Sequence, residues 1–181
     1  MRVLGLDPGS RNCGYCVLDV EESRLNILEA GTWNLIKGNP KRALGSRLEL
    51  LAESASLLLQ RFNPRLVGLE KAVAFKNISS ALTLSEARGV LRLKVYEELS
   101  HATDRLIELS PTEIKRVATG SGASNKEAVE KMLTMRFRQL SADQELEGLG
   151  ADAFDALAIA WTAWIVHNKR NGIKVWTEVR R

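Results

Sequence analysis

The opening segment of this chain, residues 2–19, reads RVLGLDPGSRNCGYCVLD. Its first run, Arg2 to Asp7, is almost continuously apolar, as in a central strand that is covered on both faces. Pro8 and Gly9 predict a tight turn, and the run from Asn12 to Asp19 predicts a second strand beside the first. The segment therefore predicts a hairpin with Asp7 at the carboxyl end of its first strand.

The rest of the chain predicts alternating helices and strands. In order, we expect a third strand at Leu25 to Leu35, a helix from an Asn39 N-cap to Asn63, a strand at Arg65 to Glu70, a helix at Ser79 to Leu99, a strand at Arg105 to Leu109, a short helix opened by Ser110 and Pro111, a helix capped by Ser124 and Glu127, and a final helix at Ala151 to His167. Three strands followed by this alternation predict an α/β domain with a five-stranded mixed sheet and helices on both faces. We expect residues 1–168 to form one domain and residues 169–181 to form a tail.

Composition limits the function classes. The 181 residues are 45% hydrophobic, which fits a folded domain. The net charge of +4 is weak support for a polyanionic partner. No apolar run approaches the roughly 18 residues of a membrane span, and the N-terminus lacks the order of a signal peptide, so we expect a cytoplasmic protein. Cys13 and Cys16 match a C-x-x-C pattern, but a strand points them to opposite faces, which argues against zinc.

Four carboxylates stand at positions where chemistry is possible: Asp7, Glu70, Asp152 and Asp155. Each alone has an ordinary interpretation, as a turn residue, an exposed strand end or a helix N-terminal acid. Together they gain weight, because adjacent parallel strands end at one edge of a sheet and residues three apart share a helix face. So many like charges in one site require divalent metal, and oxygen ligands favour Mg²⁺ or Mn²⁺. The pattern predicts a metal-dependent phosphotransfer enzyme.

Several motifs resemble the RuvC family of bacterial Holliday junction resolvases, in order and over roughly residues 2 to 167. They are Leu4 to Arg11 with Gly14-Tyr15, then Glu70, Ala81-Leu82, Ala87-Arg88-Gly89, Lys115, Lys126, and Ala151 to Ala158. The resemblance implies an RNase H-like fold and a homodimer that cuts two strands of a four-way DNA junction symmetrically. It also implies two Mg²⁺ ions per subunit, held by the four acids, and the branch-migration proteins RuvA and RuvB as partners.

The resemblance implies DNA contacts as well. Lys115 and Lys126 match family positions that contact DNA near the scissile phosphate, and Arg88 lies in a matching motif for which we also expect a DNA contact. The family's loop after the catalytic Glu often carries an aromatic residue three positions on. Here that position is Val73, and Phe75 is the aromatic, which either stacks on bases or packs against the next helix.

The dimer interface and three other functions stay open at this point. The helix at Ser79 to Leu99 carries apolar residues on more than one face, so it fits either a dimer interface or the core of a monomer. The other functions are a related nuclease that acts on ribosomal RNA precursors, a nucleotide-binding domain of the actin and sugar-kinase type, and a DNA-binding module without catalysis. The second needs a duplicated domain for which the chain has no room, and the four acids argue against the third.

Overall fold

The computed structural model describes residues 1–21, 24–71, 78–140, 146 and 148–173. Its centre is one five-stranded sheet in the order β3-β2-β1-β4-β5. The strands are β1 (Arg2–Asp7), β2 (Asn12–Glu21), β3 (Arg24–Asn34), β4 (Leu66–Glu70) and β5 (Leu106–Leu109). The first three form an antiparallel meander, whereas β4 runs parallel to β1 and β5 runs parallel to β4. The expected mixed sheet is confirmed.

Helices cover both faces of the sheet, as expected. They are α1 (Leu44–Phe62), α2 (Ile78–Glu98), α3 (Ala102–Arg105), α4 (Pro111–Thr119), α5 (Lys126–Leu140) and α6 (Ala151–Arg170). Strand alternation divides the core in two: Val3 packs with α4, α5 and α6, while Leu4 and Leu6 pack with α1 and α2. Cys13 and Cys16 follow the same alternation and are buried in the two separate clusters.

Helix α6 lies along the middle of the sheet and is the most deeply buried of the described helices. From Ala153 to Ile165 every residue except Asp155 is buried. The helix continues beyond the predicted end at His167 to Arg170. None of the helices in the described ranges is long and apolar enough to cross a membrane.

The predicted start of α1 is wrong. The helix begins at Leu44 after Ala43, and no side chain caps it. Asn39 instead accepts a hydrogen bond from the main-chain N–H of Lys41 through its Oδ1, at 3.1 Å. A short polar side chain that bonds its own neighbouring backbone stabilises a turn, and this local turn competes with helix initiation.

The predicted cap of α5 is wrong by one residue. Asn125 caps the helix, because its Oδ1 accepts from the N–H of Ala128 at 2.9 Å. Ser124 is engaged elsewhere, with its Oγ 2.7 Å from Oγ1 of Thr119. A capping box does form, at the start of α4, between Ser110 and Glu113. The single turn α3 was not predicted from the sequence.

Candidate active site

Three of the four predicted acids meet at one edge of the sheet. Asp7 ends β1 and Glu70 ends β4, and these strands are parallel neighbours with Leu6 opposite Leu69. Asp155 projects from α6 and lines, with both strand acids, a cavity of about 290 Å³. Lys115 and Lys126 line the same cavity. Residues from five elements, separated by up to about 150 positions in sequence, therefore surround one space.

Asp152 stands apart from this lining. It lies in the first turn of α6 and is half-buried, but it is not among the residues that line the cavity. Its negative charge still reaches Asp7, where it raises the pKa less than Glu70 and Asp155 do. The fourth predicted acid is thus an electrostatic neighbour of the site in this structure.

Two strand glycines bring α6 close to the sheet. A Cβ on Gly5 would collide with the main-chain carbonyl of Ala156, and a Cβ on Gly14 would collide with that of Asp152. Gly14 lies directly opposite Asp7 in the β1–β2 pairing. Because the helix backbone rests on these bare positions, the first turns of α6 lie beside the carboxyl end of β1. The close approach carries Asp155 to the strand acids.

The pKa values of the two strand acids reflect this crowding. Burial first, and then the charges of Glu70, Asp155 and Asp152, raise the pKa of Asp7 to about 7. Burial and Asp155 also raise the pKa of Glu70, against the lowering effect of Arg88 and the two lysines. Ionising these carboxylates together is costly, and a cation between them would offset the cost.

Lys126 already supplies positive charge to one acid. Its Nζ lies 2.5 Å from Oδ2 of Asp155, and this hydrogen bond raises the pKa of the lysine. The pair is accessible, with 55% of the lysine side chain and 35% of the aspartate side chain exposed. Lys115 lines the same cavity as Glu70, and its positive charge lowers the pKa of that acid. Both predicted lysines therefore act on the carboxylates themselves.

Arg88 is placed differently from the lysines. Its side chain is 14% exposed and bonds within the protein, to the main-chain carbonyl of Glu70 at 2.8 Å and to Oε1 of Glu108 at 2.7 Å. Phe75 and Val73 lie outside the described residues, so the expected aromatic contact stays a prediction.

The donor chemistry of the acids fits a divalent metal, since carboxylate oxygens are the ligands that Mg²⁺ prefers. The crowding that raises the pKa of Asp7 is also what a bound cation would relieve. Within the ranges that the structure describes, however, no three side chains of the ligating types are close enough to hold an ion as they stand. Binding an ion between them therefore requires side-chain rotation and separation of Lys126 from Asp155.

Sequence reasoning missed the role of the two strand glycines. Glycine weakens a strand interior and is often found where another backbone approaches closely, so Gly5 and Gly14 carried a usable signal. It also missed the capping box of Ser110 and Glu113. This cap fixes the start of α4 and thereby helps to position Lys115, on the same helix, beside the cavity.

Most of this chain is similar to proteins of one known family. Residues 3–163 match the family model described as crossover junction endodeoxyribonuclease RuvC. The protein of that description from Myxococcus xanthus is 39% identical over 160 residues, which cover 88% of this chain and 78% of the relative. That from Pseudarthrobacter chlorophenolicus is 34% identical over 168 residues, 91% of this chain and 80% of the relative. The solved structure of T. thermophilus RuvC in complex with a Holliday junction substrate superposes with a TM-score of 0.76 at 25% identity, covering 95% of this chain and 96% of that one.

Proposed function

This chain belongs to the RuvC family of crossover junction endodeoxyribonucleases, and from that premise we propose that it resolves four-way DNA junctions by paired, symmetric nicks. The reaction is hydrolysis of a phosphodiester in each of two strands. It serves homologous recombination and DNA repair. The proposed catalytic residues are Asp7, Glu70, Asp152 and Asp155.

One observation carries the assignment of the site. Asp7, Glu70 and Asp155 surround the same cavity of about 290 Å³ as Lys115 and Lys126. Acids that repel one another beside lysines suit a phosphodiester, because the acids can bind metal while the lysines attract the phosphate. A carboxylate whose pKa is raised to about 7 by burial and by neighbouring acids, beside a cavity, is typical of a functional site.

The four acids would hold two Mg²⁺ ions, with Mn²⁺ as a substitute. When bound, such ions activate a water and stabilise the leaving 3′ oxygen of the phosphodiester. The chain itself contributes the position of the carboxylates. Asp7 and Glu70 are fixed by parallel strands, and Asp155 is fixed by a helix buried against the sheet. These rigid supports keep the acids together while substrate binds.

Lys115 and Lys126 are the proposed contacts to the DNA backbone near the cut. Lys126 is 55% exposed despite its bond to Asp155, so a phosphate can reach it from solvent. Exposed Arg116, Lys131 and Arg138 extend positive charge along α4 and α5. The stacking role of Phe75 stays a prediction.

Two cuts on one junction require two active sites, so we propose a homodimer. The exposed apolar residues of α2 support this: Ile78, Leu82, Leu93 and Tyr96 are 48–76% exposed and lie on one side of the helix by their spacing. Leu91 and Val95 of the same helix are buried in the subunit's own core. One face of the helix therefore packs in the core of the subunit, and the other face is available for contact with a second subunit. RuvA and RuvB as partners and a cytoplasmic location stay predictions.

The function is tested by incubating the purified protein with synthetic four-way junctions, with and without Mg²⁺. Duplex DNA and RNA substrates of the same sequences are the controls. We expect paired nicks at symmetric positions, confined to the junction and dependent on Mg²⁺. Preferential cleavage of RNA would favour the related ribosomal RNA nuclease. Junction binding without cleavage under any divalent metal would favour a non-catalytic module.

A further inference from the structure

Glu70 lies at the end of the β1–β4 pairing, just beyond the last residue pair between these strands. That pairing ends at Leu6 and Leu69. On the other side, β4 still pairs with β5, with Glu70 opposite Leu109. Its side chain lies on the sheet face to which a Cβ at Gly68, two residues earlier, would point, and Gly68 lies against Ile159 and Ala163 of α6. The carboxylate therefore points to the α6 side of the sheet.

Arg88 reaches the same residue from the opposite side. It lies on α2, next to Ala87, which is buried in the cluster of α1 and α2. Its Nε donates to the main-chain carbonyl of Glu70 at 2.8 Å, and its Nη2 donates to Oε1 of Glu108 at 2.7 Å. A strand carbonyl with no partner strand would otherwise need water or another donor. Arg88 supplies this donor to the main-chain carbonyl and does not bond the side-chain carboxylate of Glu70.

Glu108 makes this contact rigid. It lies on β5, directly opposite Leu69 in the β4–β5 pairing, so its own backbone is part of the sheet. One end of the guanidinium is thus tied to β5 and the other to the end of β4. A planar guanidinium can donate along two fixed directions at once, which the ammonium of lysine cannot reproduce. The 14% exposure of Arg88 also removes it from most solvent contact.

We infer that Arg88 is a positioning residue for Glu70, acting through the main chain of the catalytic carboxylate and anchored by Glu108. The inference deepens the proposed function and rests on it. It replaces the DNA contact expected for Arg88 from its motif. The residue also joins α2 to the end of β4.

The test compares Arg88→Met with Arg92→Met, one turn further along α2. Arg92 is the matched control, because it is 50% exposed and approaches Glu108 only at 3.9 Å. For Arg88→Met we expect a fall in kcat of about 10- to 100-fold, as for other residues that support a catalytic carboxylate. We expect KM to stay within about twofold of wild type, and likewise the junction affinity measured without divalent metal. The reason is that cleavage of the P–O bond depends on Glu70, whereas contact with DNA does not. Arg92→Met should match wild type in all three measurements.

Two further variants keep the inference testable if Arg88→Met melts early. Arg88→Lys preserves the charge but not the two-directional contact, so its kcat should still fall. Glu108→Gln preserves an acceptor for Arg88 and should retain more activity than Arg88→Lys. Calorimetric titration of each variant with Mg²⁺ in the absence of DNA should show weaker binding for Arg88→Lys than for Arg92→Met.

Three results would overturn the inference. One is wild-type kcat in both Arg88 variants. Another is an equal loss in Arg92→Met, which would indicate a general effect of charge on α2. The third is a loss of junction affinity in Arg88→Met that matches its loss of cleavage, with a smaller salt dependence, which would make Arg88 a DNA contact. Failure of wild type to cut junctions at all would instead refute the proposed function.

Discussion

The main-chain carbonyl of Asp152 lies against Gly14, so closely that a Cβ on the glycine would overlap it. Gly14 is the partner of Asp7 in the β1–β2 pairing. The start of α6 can therefore lie close to the end of β1 only because residue 14 has no side chain. Packing of backbone on backbone, and not attraction between charges, brings these acids to one edge of the sheet.

Gly14→Ala should move the start of α6 away from β1. We expect a loss of about 1–3 kcal/mol in the free energy of unfolding, because the overlapping atom is main chain and cannot rotate away. Cleavage of junctions should fall further than stability alone explains. The control is Gly45→Ala in α1, where nothing lies within 4 Å. Urea denaturation should show that variant unchanged or up to about 1 kcal/mol more stable, since alanine favours helix. Equal stability for both variants would contradict the packing argument.

Asp7→Asn should abolish cleavage and leave junction binding intact. The change removes a proposed metal ligand and keeps the lysines that face the DNA. Cleavage and gel-shift assays on the same junction measure the two effects separately. Asp19→Asn is the control, because this carboxylate pairs with the N-terminal ammonium at the other end of the sheet, at 3.1 Å. Parallel loss of binding and cleavage in Asp7→Asn would refute this division of roles.

The raised pKa of Asp7 predicts a pH dependence of stability in the metal-free protein. The folded state holds a proton on Asp7 up to a pKa of about 7, whereas the unfolded chain releases it near the ordinary aspartate pKa of 3.8. Stability therefore falls as pH rises from about 4 to about 7. Asp7→Asn lacks this loss, so its advantage over wild type should grow over the same window, to at most roughly 4 kcal/mol. Thermal melts in chelator at pH 4.5 to 8 measure it, and identical pH profiles for the two proteins would contradict it.

Lys115→Ala should weaken junction binding and reduce its salt dependence. Removing one phosphate contact lowers the slope of log K against log salt by about 1. The slope is measured by fluorescence anisotropy of a labelled junction at several salt concentrations. Lys94→Ala is the control, since that lysine pairs with Glu97 on α2, at 2.8 Å. A slope for Lys115→Ala that equals that of Lys94→Ala would exclude a phosphate contact.

Leu93→Glu should convert the proposed dimer to monomer. Leu93 is 56% exposed on the apolar side of α2, so a charge there disfavours self-association without entering the subunit core. Sedimentation equilibrium measures the association, and a plasmid with an extruded cruciform reports on paired cutting. We expect nicked circles in place of linear product. Leu28→Glu, at a 42% exposed position on β3, should remain dimeric. A dimeric Leu93→Glu would place the interface elsewhere.

The sequence by itself determined the order along the chain of the five strands and of the helices other than α3. Local patterns suffice for this, since apolar runs, Asn63 with Pro64 and the Gly-rich break after α4 each act within a few residues. The four acids were predicted from their positions in these elements, and Lys115 and Lys126 from the resemblance to the RuvC family. The same local logic failed at Asn39 and Ser124. At these positions several polar side chains can bond the same nearby backbone groups. Small differences in free energy then determine which side chain caps the helix.

Only the tertiary structure decided how the acids meet. Asp7, Glu70 and Asp155 share a cavity because α6 rests on Gly5 and Gly14, a contact between segments about 140 residues apart. It also decided that Asp155 pairs with Lys126 and that Arg88 holds Glu70 from the far side of the sheet. The physical reason is that such contacts depend on where distant backbones are placed relative to one another. Spacing along a single segment carries no information about that placement.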